Sequence, residues 1–146
     1  MPRDLDLPPR LSVRLSYLLK RAQAELAEQH DELLAPLGIG VRELTLLMLL
    51  DGREPESQQQ TAQRAGIDRT TMVALVDGLE AKGHVARRPD PADRRRNVVE
   101  LTDSGRETLR QAMRASDEAE RRVLASLDEA EATQLRSLLS RLGTPS

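Results

Sequence analysis

The chain contains no cysteine, no phenylalanine and no tryptophan, and Tyr17 is its only tyrosine. Without cysteine there can be no disulfide, no thiolate metal site and no reactive-thiol redox switch. Without bulky aromatics the core must be assembled from Leu, Ala, Val and Met, a palette that favours helix. No apolar run reaches the 18 residues a membrane span needs, and no signal peptide is evident, so the expected location is the cytoplasm, with no membrane partner. Also missing are a glycine-rich phosphate loop and a helical His-Glu-x-x-His, and neither His30 nor His84 has a nucleophile at a telling spacing. An enzyme reading therefore fails for want of parts, and no metal site and no cofactor are expected. Lysine is scarce too: Lys20 and Lys82 are the only two among 22 basic residues.

At 146 residues the chain has room for one domain, or for a small domain plus dimerising helices. Its formal net charge is −2, but the charge is unevenly placed. Lys82, Arg87, Arg88, Arg94, Arg95 and Arg96 face only Asp90 and Asp93 between positions 82 and 96, so this segment carries +4 and the remainder −6. A bland reading makes this a solvated, soluble turn. The alternative is a cationic element built for an anionic partner.

The periodicity predicts mostly helix. After Pro8 and Pro9, Leu11, Leu15, Leu18, Ala22, Leu26 and Leu33 recur at helical spacings, giving one long helix over about Arg10 to Leu34. Tyr17 and His30 fall beside its apolar stripe, and such a helix is too long for a small domain to cover. Residues 41–52, VRELTLLMLLDG, are apolar nearly all round from Leu44 to Leu50 and predict a buried central helix. In SQQQTAQRAGIDRTTMVALVDGLEAKG, residues 57–83, Ser57 and Gln60 form a capping box, Gly66 can end the first helix, Asp68 can cap a second, and Gly83 can stop it. That is a helix-turn-helix. HVARR and NVVEL then read as two strands joined by Pro89-Asp90-Pro91-Ala92-Asp93, a two-stranded hairpin. Thr102 caps a long amphipathic helix over 104–126, and Asp128 with Glu131 caps a last one whose Leu135, Leu138, Leu139 and Leu142 form a stripe ending at Gly143. The expected fold is thus mostly α with a small β-hairpin: a winged helix-turn-helix over 37–103, flanked by dimerisation helices over 1–36 and 104–146.

Asp93, Arg95, Leu101, Thr102 and Gly105 reproduce the wing signature Asp-x-Arg, five residues, Leu-Thr, two residues, Gly. With DRTTMVALVDGLEAKGHVARR at 68–88 ahead of it, the chain resembles the MarR family of bacterial transcriptional regulators over nearly its whole length. The resemblance implies a homodimer on a pseudo-palindromic operator in double-stranded DNA, a repressor associated with the bacterial nucleoid. It also implies that a small-molecule effector between the dimerising helices and the winged domain could release the DNA. No motif marks such a pocket here, and Tyr17 and His30 are the only candidates to line it.

The residues agree with a DNA-binding role on their own terms. The start of the second helix of the motif would offer Arg69, Thr70, Thr71, Val73 and Ala74 to major-groove base edges, unless the threonines serve only the helix start. Free N–H groups near Ser57, Gln58 and Gln59 suit a phosphate. Arg94, Arg95 and Arg96 at the hairpin tip can enter a minor groove, with Asp93 orienting an arginine by ion pairing. A rival reading keeps the dimer but makes it a protein-binding module whose winged domain has lost DNA.

Overall fold

The computed structural model describes residues 7–52 and 56–143. In chain order it contains α1 (Pro9–Ser12), α2 (Leu15–Leu34), a 3-10 turn (Ala35–Leu37), α3 (Val41–Leu50), β1 (Glu56–Ser57), α4 (Gln58–Ala65), α5 (Arg69–Ala81), β2 (Val85–Pro89), β3 (Asn97–Leu101), α6 (Asp103–Val123) and α7 (Glu129–Arg141). Two compact units divide the chain, one made of residues 1–29 and 117–146, the other of 30–116. Among the described residues no single helix is long and apolar enough to cross a membrane.

The central unit is built around α3. Leu44, Leu46, Leu47 and Leu50 are buried on it, as the apolar run demands, while Met48 faces out. Leu34 and Ile39 precede it in the same core, and Met72, Val76 and Leu79 of α5, Val85 and Val99 of the sheet, and Leu109 and Ala112 of α6 complete it. Each fully buried leucine contributes on the order of 2 kcal/mol, so this cluster is what holds the motif's helices in place.

Local signals set the element ends. Ser57 Oγ accepts from the Gln60 N–H at 3.2 Å, and Gln60 Oε1 accepts from the Ser57 N–H at 3.0 Å, the reciprocal box expected at the start of α4. Gly66 ends α4 with φ +65°, a left-handed conformation that residues with a Cβ rarely adopt, and Ile67 N donates to Ala62 O at 3.1 Å to close the turn. Asp68 then caps α5, and Asp128 and Glu131 cap α7 reciprocally.

Four boundaries differ from the sequence reading. The first helix is not continuous from Arg10 to Leu34: α1 stops at Ser12, whose hydroxyl donates back to Pro9 O at 3.0 Å, and α2 starts afresh at Leu15. A side chain that bonds the preceding turn competes with the backbone ladder, and here it accompanies the break. The central helix ends at Leu50 rather than Gly52, where φ is +67°. Helix α6 ends at Val123, its last turn becoming the link to α7 instead of reaching 126. Finally, the expected two-stranded hairpin of β2 and β3 gains a third strand. Glu56 and Ser57 pair antiparallel with Val99 and Val98, giving the order β1-β3-β2.

The other unit contains α1, most of α2, the end of α6, and α7. Its apolar stripe is incompletely covered: Leu11, Leu15, Leu18, Leu19, Leu135, Leu138, Leu139 and Leu142 are all exposed. Leu19, Leu26, Val123, Leu124, Leu135 and Leu139 line an apolar cavity of about 270 Å³, beside which Arg136 pairs with Glu120 at 2.9 Å. That pairing also holds the Arg136 guanidinium above its ordinary pKa.

Candidate nucleic-acid interface

Helix α5 buries Met72, Val76 and Leu79, and its opposite face presents Arg69, Thr70, Val73, Ala74 and Asp77 to solvent. Residues three, four and seven apart share a helix face, so these side chains form one strip. No hydrogen bond or ion pair among the described residues engages Arg69 or Thr70 through its side chain. Thr71 stands apart from its neighbour. Its N–H donates to Asp68 Oδ1 at 2.8 Å and its hydroxyl to Asp68 Oδ2 at 2.7 Å, so the Asp68 carboxyl lies below the usual carboxylate range, held there by Thr71's backbone and side-chain donors. Thr70 is thus free to face a ligand, whereas Thr71 is committed to the cap.

At the start of α4, Ser57 is spent on its capping box, its hydroxyl also donating to Gln60 Oε1 at 3.2 Å. Gln59 is exposed. Gln58 is half-buried with its amide against Arg87, and with its oxygen turned to that guanidinium it accepts from Nε at 2.6 Å.

The wing tip is a tight knot of backbone bonds organised by two aspartates. Asp90 N donates to Arg96 O at 2.9 Å, Asp93 N to Asp90 O at 3.2 Å and Arg96 N to Asp93 O at 2.9 Å. Asp90 Oδ1 accepts from Ala92 N and Asp93 Oδ1 from Arg95 N, at 2.9 and 3.1 Å. Asp93 also lies 3.5 Å from Arg95 Nε and 3.8 Å from Arg96 Nε. Arg95 nonetheless keeps a side chain 93% exposed. Arg94 has no partner among the described residues. The tip therefore holds three cations on a fixed backbone with one shared carboxylate.

The rest of the basic segment is neutralised within the fold, which counting charges along the sequence missed. Lys82 Nζ donates to Gly38 O at 2.6 Å and to Glu43 at 2.8 Å. Arg87 donates to Asp77 at 2.5 Å and to Glu80 at 2.8 Å, and Arg88 pairs with Glu100 at 2.7 Å. Only the acids' sequence neighbourhood could have hinted at this.

The wing root is fixed by the second half of the signature. Thr102 donates through its hydroxyl to Gly83 O at 2.6 Å and through its N–H to His84 O at 3.1 Å, and its oxygen accepts from Gly105 N at 3.0 Å. Helix α6 thereby starts locked to the chain between α5 and β2.

The two ligand candidates fall in different compact units. His30 is buried and its Nε2 is hydrogen-bonded to Ser116 Oγ at 2.9 Å, while Tyr17 is half-buried in the other unit. Among the described residues no group of His, Cys, Asp and Glu could hold a metal ion.

Residues 37–96 match the MarR family. The chain is 31% identical over 146 residues to the HTH-type transcriptional regulator PecS of Dickeya dadantii, covering 95% of this chain and 84% of PecS. Among solved structures it is similar to the transcriptional repressor CouR bound to a 23-mer DNA duplex, with a TM-score of 0.87, 33% identity, and coverage of 95% of this chain and 99% of that one. CouR from Rhodococcus jostii RHA1 bound to p-coumaroyl-CoA is similar at a TM-score of 0.80 and 30% identity, covering 95% and 98% of the two chains.

Proposed function

The chain belongs to the MarR family of transcriptional regulators, and on that premise we propose that it is a homodimeric repressor that a small ligand releases from a pseudo-palindromic operator. Each copy would place the start of α5 in a major groove, with Arg69, Thr70, Val73 and Ala74 toward base edges and Thr71 supporting them. Gln58 and Gln59 at the start of α4 would approach phosphates through backbone N–H groups, while Ser57, whose own N–H is held by Gln60 Oε1, would hold the helix start in place. The wing would carry Arg94, Arg95 and Arg96 to the flanking minor groove. Residues 37–103 would form the DNA-binding domain, and 1–36 with 104–146 the dimerising part.

The observation that carries this reading is the distribution of unspent charge. Of the basic residues from Lys82 to Arg96, the fold pairs Lys82, Arg87 and Arg88 each with an acid of its own and leaves the three at the tip to share the single carboxylate of Asp93. A solvated turn would not need such sorting. Dimerisation is supported by the exposed leucines of α2 and α7, an apolar surface of the kind a second copy covers. Release by a ligand is supported by the similar CouR, whose structures include one with p-coumaroyl-CoA and one with DNA.

The test is selection of bound duplexes from a random pool, followed by a salt titration on the winner. An enriched palindrome, with affinity falling by about 0.9 log unit per log unit of salt for each phosphate contact, is the expected result. Flat or absent binding by a dimer would instead favour a protein-binding module.

A further inference from the structure

Arg87 sits on β2, yet its donors serve two helices. Nη1 donates to Glu80 Oε1 at 2.8 Å and Nη2 to Asp77 Oδ1 at 2.5 Å, both on α5. Nε faces the Gln58 amide at the first residue of α4. The Arg87 side chain is 20% exposed, far less than those of Arg95 and Arg96 at the wing tip, against 59% for Asp77 and 42% for Glu80. A planar fork with all three nitrogens occupied fixes orientation in a way a lysine cannot.

Asp77 is the reason this matters for binding. It lies seven residues after Thr70 and four after Val73, on the same exposed strip of α5. A carboxylate there meets an approaching phosphate backbone with repulsion. Its fellow acceptor Glu80 lies in the last turn of α5, where the helix dipole disfavours anions.

We propose that Arg87 is the positioning residue of the DNA-reading surface: it neutralises Asp77 and Glu80 and ties the wing strand to α4 and α5, without itself touching a phosphate. This rests on the DNA-binding reading above. The wing's reach relative to the strip on α5 is then set before DNA arrives, and loss of the tie both loosens the wing and uncovers two acids.

The experiment uses the full-length dimer and the duplex selected by the wild-type protein. Arg87→Met keeps the aliphatic stem and removes the charge, and we expect it to weaken binding by roughly tenfold, the scale of coupling within one charge network. Arg87→Met with Asp77→Asn has the same net charge as the wild type, and we expect it to recover the part of the affinity lost to the bared Asp77, staying below wild type because the wing is still untied and Glu80 unpaired, with an unchanged salt slope. If Arg87 contacts a phosphate, the double variant stays weak and its slope falls by about 1.8 for the two copies of a dimer. That result, or wild-type affinity in Arg87→Met, overturns the proposal. Should Arg87→Met fail to fold by circular dichroism, Arg87→Lys serves in its place: it keeps the charge and loses the fork. Intermediate affinity at wild-type slope is then expected, and wild-type affinity or a lowered slope counts against the proposal. If the wild-type protein selects no duplex at all, the DNA-binding reading has failed and not this one alone.

Discussion

A Cβ built on Gly105 would sit 1.9 Å from the carbonyl oxygen of His84 and 2.9 Å from its carbonyl carbon. Gly105 is the third residue of α6, in its first turn, with ordinary helical backbone, so the requirement is for space and not for an unusual φ. Backbone cannot swing aside like a side chain. Gly105→Ala must therefore push the start of α6 away from the chain between α5 and β2, breaking the bonds Thr102 makes there. We expect a loss of about 3 kcal/mol in urea unfolding, toward the upper end for an overpacked site. Wild-type stability would show that the wing root can shift freely.

Asp68 supplies a pH test. Thr71's two donors hold its carboxyl below the ordinary carboxylate range. A folded-state pKa lowered in this way contributes stability that is present above the unfolded value and lost as pH falls through the lowered one. Asp68→Asn keeps a capping side chain but removes the titration. Urea unfolding between about pH 6 and about pH 2 should show less acid destabilisation in the variant than in the wild type, from this site. An identical acid limb would mean that the cap is not charge-dependent.

Adjacent threonines should behave differently. Thr70→Ala should leave folding nearly intact and relax preference at one or two base pairs per half-site, at about 1–3 kcal/mol on the best duplex. Thr71→Ala removes a hydroxyl bonded to Asp68, so it should lower the unfolding midpoint first and affect binding through the helix start. Swapped outcomes, read by the selected sequence logo and by thermal unfolding, would reverse the assignment.

The capping boxes, the Gly66 turn and the hairpin strand Asn97–Leu101 were legible in the sequence because each depends on residues within a few positions of one another. Strand β1 was not: two residues carry no periodicity, and Glu56 and Ser57 become a strand only by pairing with Val99 and Val98, far along the chain. The break at Val13 was hidden by a leucine spacing that continues across it. At the candidate site, the exposed strip of α5 followed from helical periodicity. The commitment of Thr71 to Asp68 did not, nor did the neutralising of Lys82, because Glu43 lies on another helix. Charge counted along a chain cannot show which cations the fold has already spent.

Asp93 has two jobs that substitution can separate. It accepts from the Arg95 N–H in the turn and pairs with the Arg95 and Arg96 side chains. Asp93→Asn keeps an acceptor for the turn and removes the ion pair. If the pair pre-orients Arg95 for the minor groove, Asp93→Asn should weaken binding although it deletes a negative charge, and should no longer do so in an Arg95→Ala background. Arg95→Ala alone should lower the salt slope by about one unit per inserted arginine. Tighter binding by Asp93→Asn would leave Asp93 as a turn residue only.

Because the fold pairs Lys82, Arg87 and Arg88 internally and the chain as a whole carries −2, the positive charge left on the α5 strip and the hairpin is that of Arg69 and the wing tip. With a Debye length of about 8 Å at physiological ionic strength, a duplex is not drawn in from afar, and it is repelled wherever it meets the acidic remainder. Arrival should accordingly be slow for a DNA-binding protein and nearly insensitive to added salt. Departure should carry the salt dependence, since the counterions return to the phosphates as the three tip arginines withdraw. In stopped-flow measurements the association rate should stay almost level across a salt series in which the lifetime of the complex collapses.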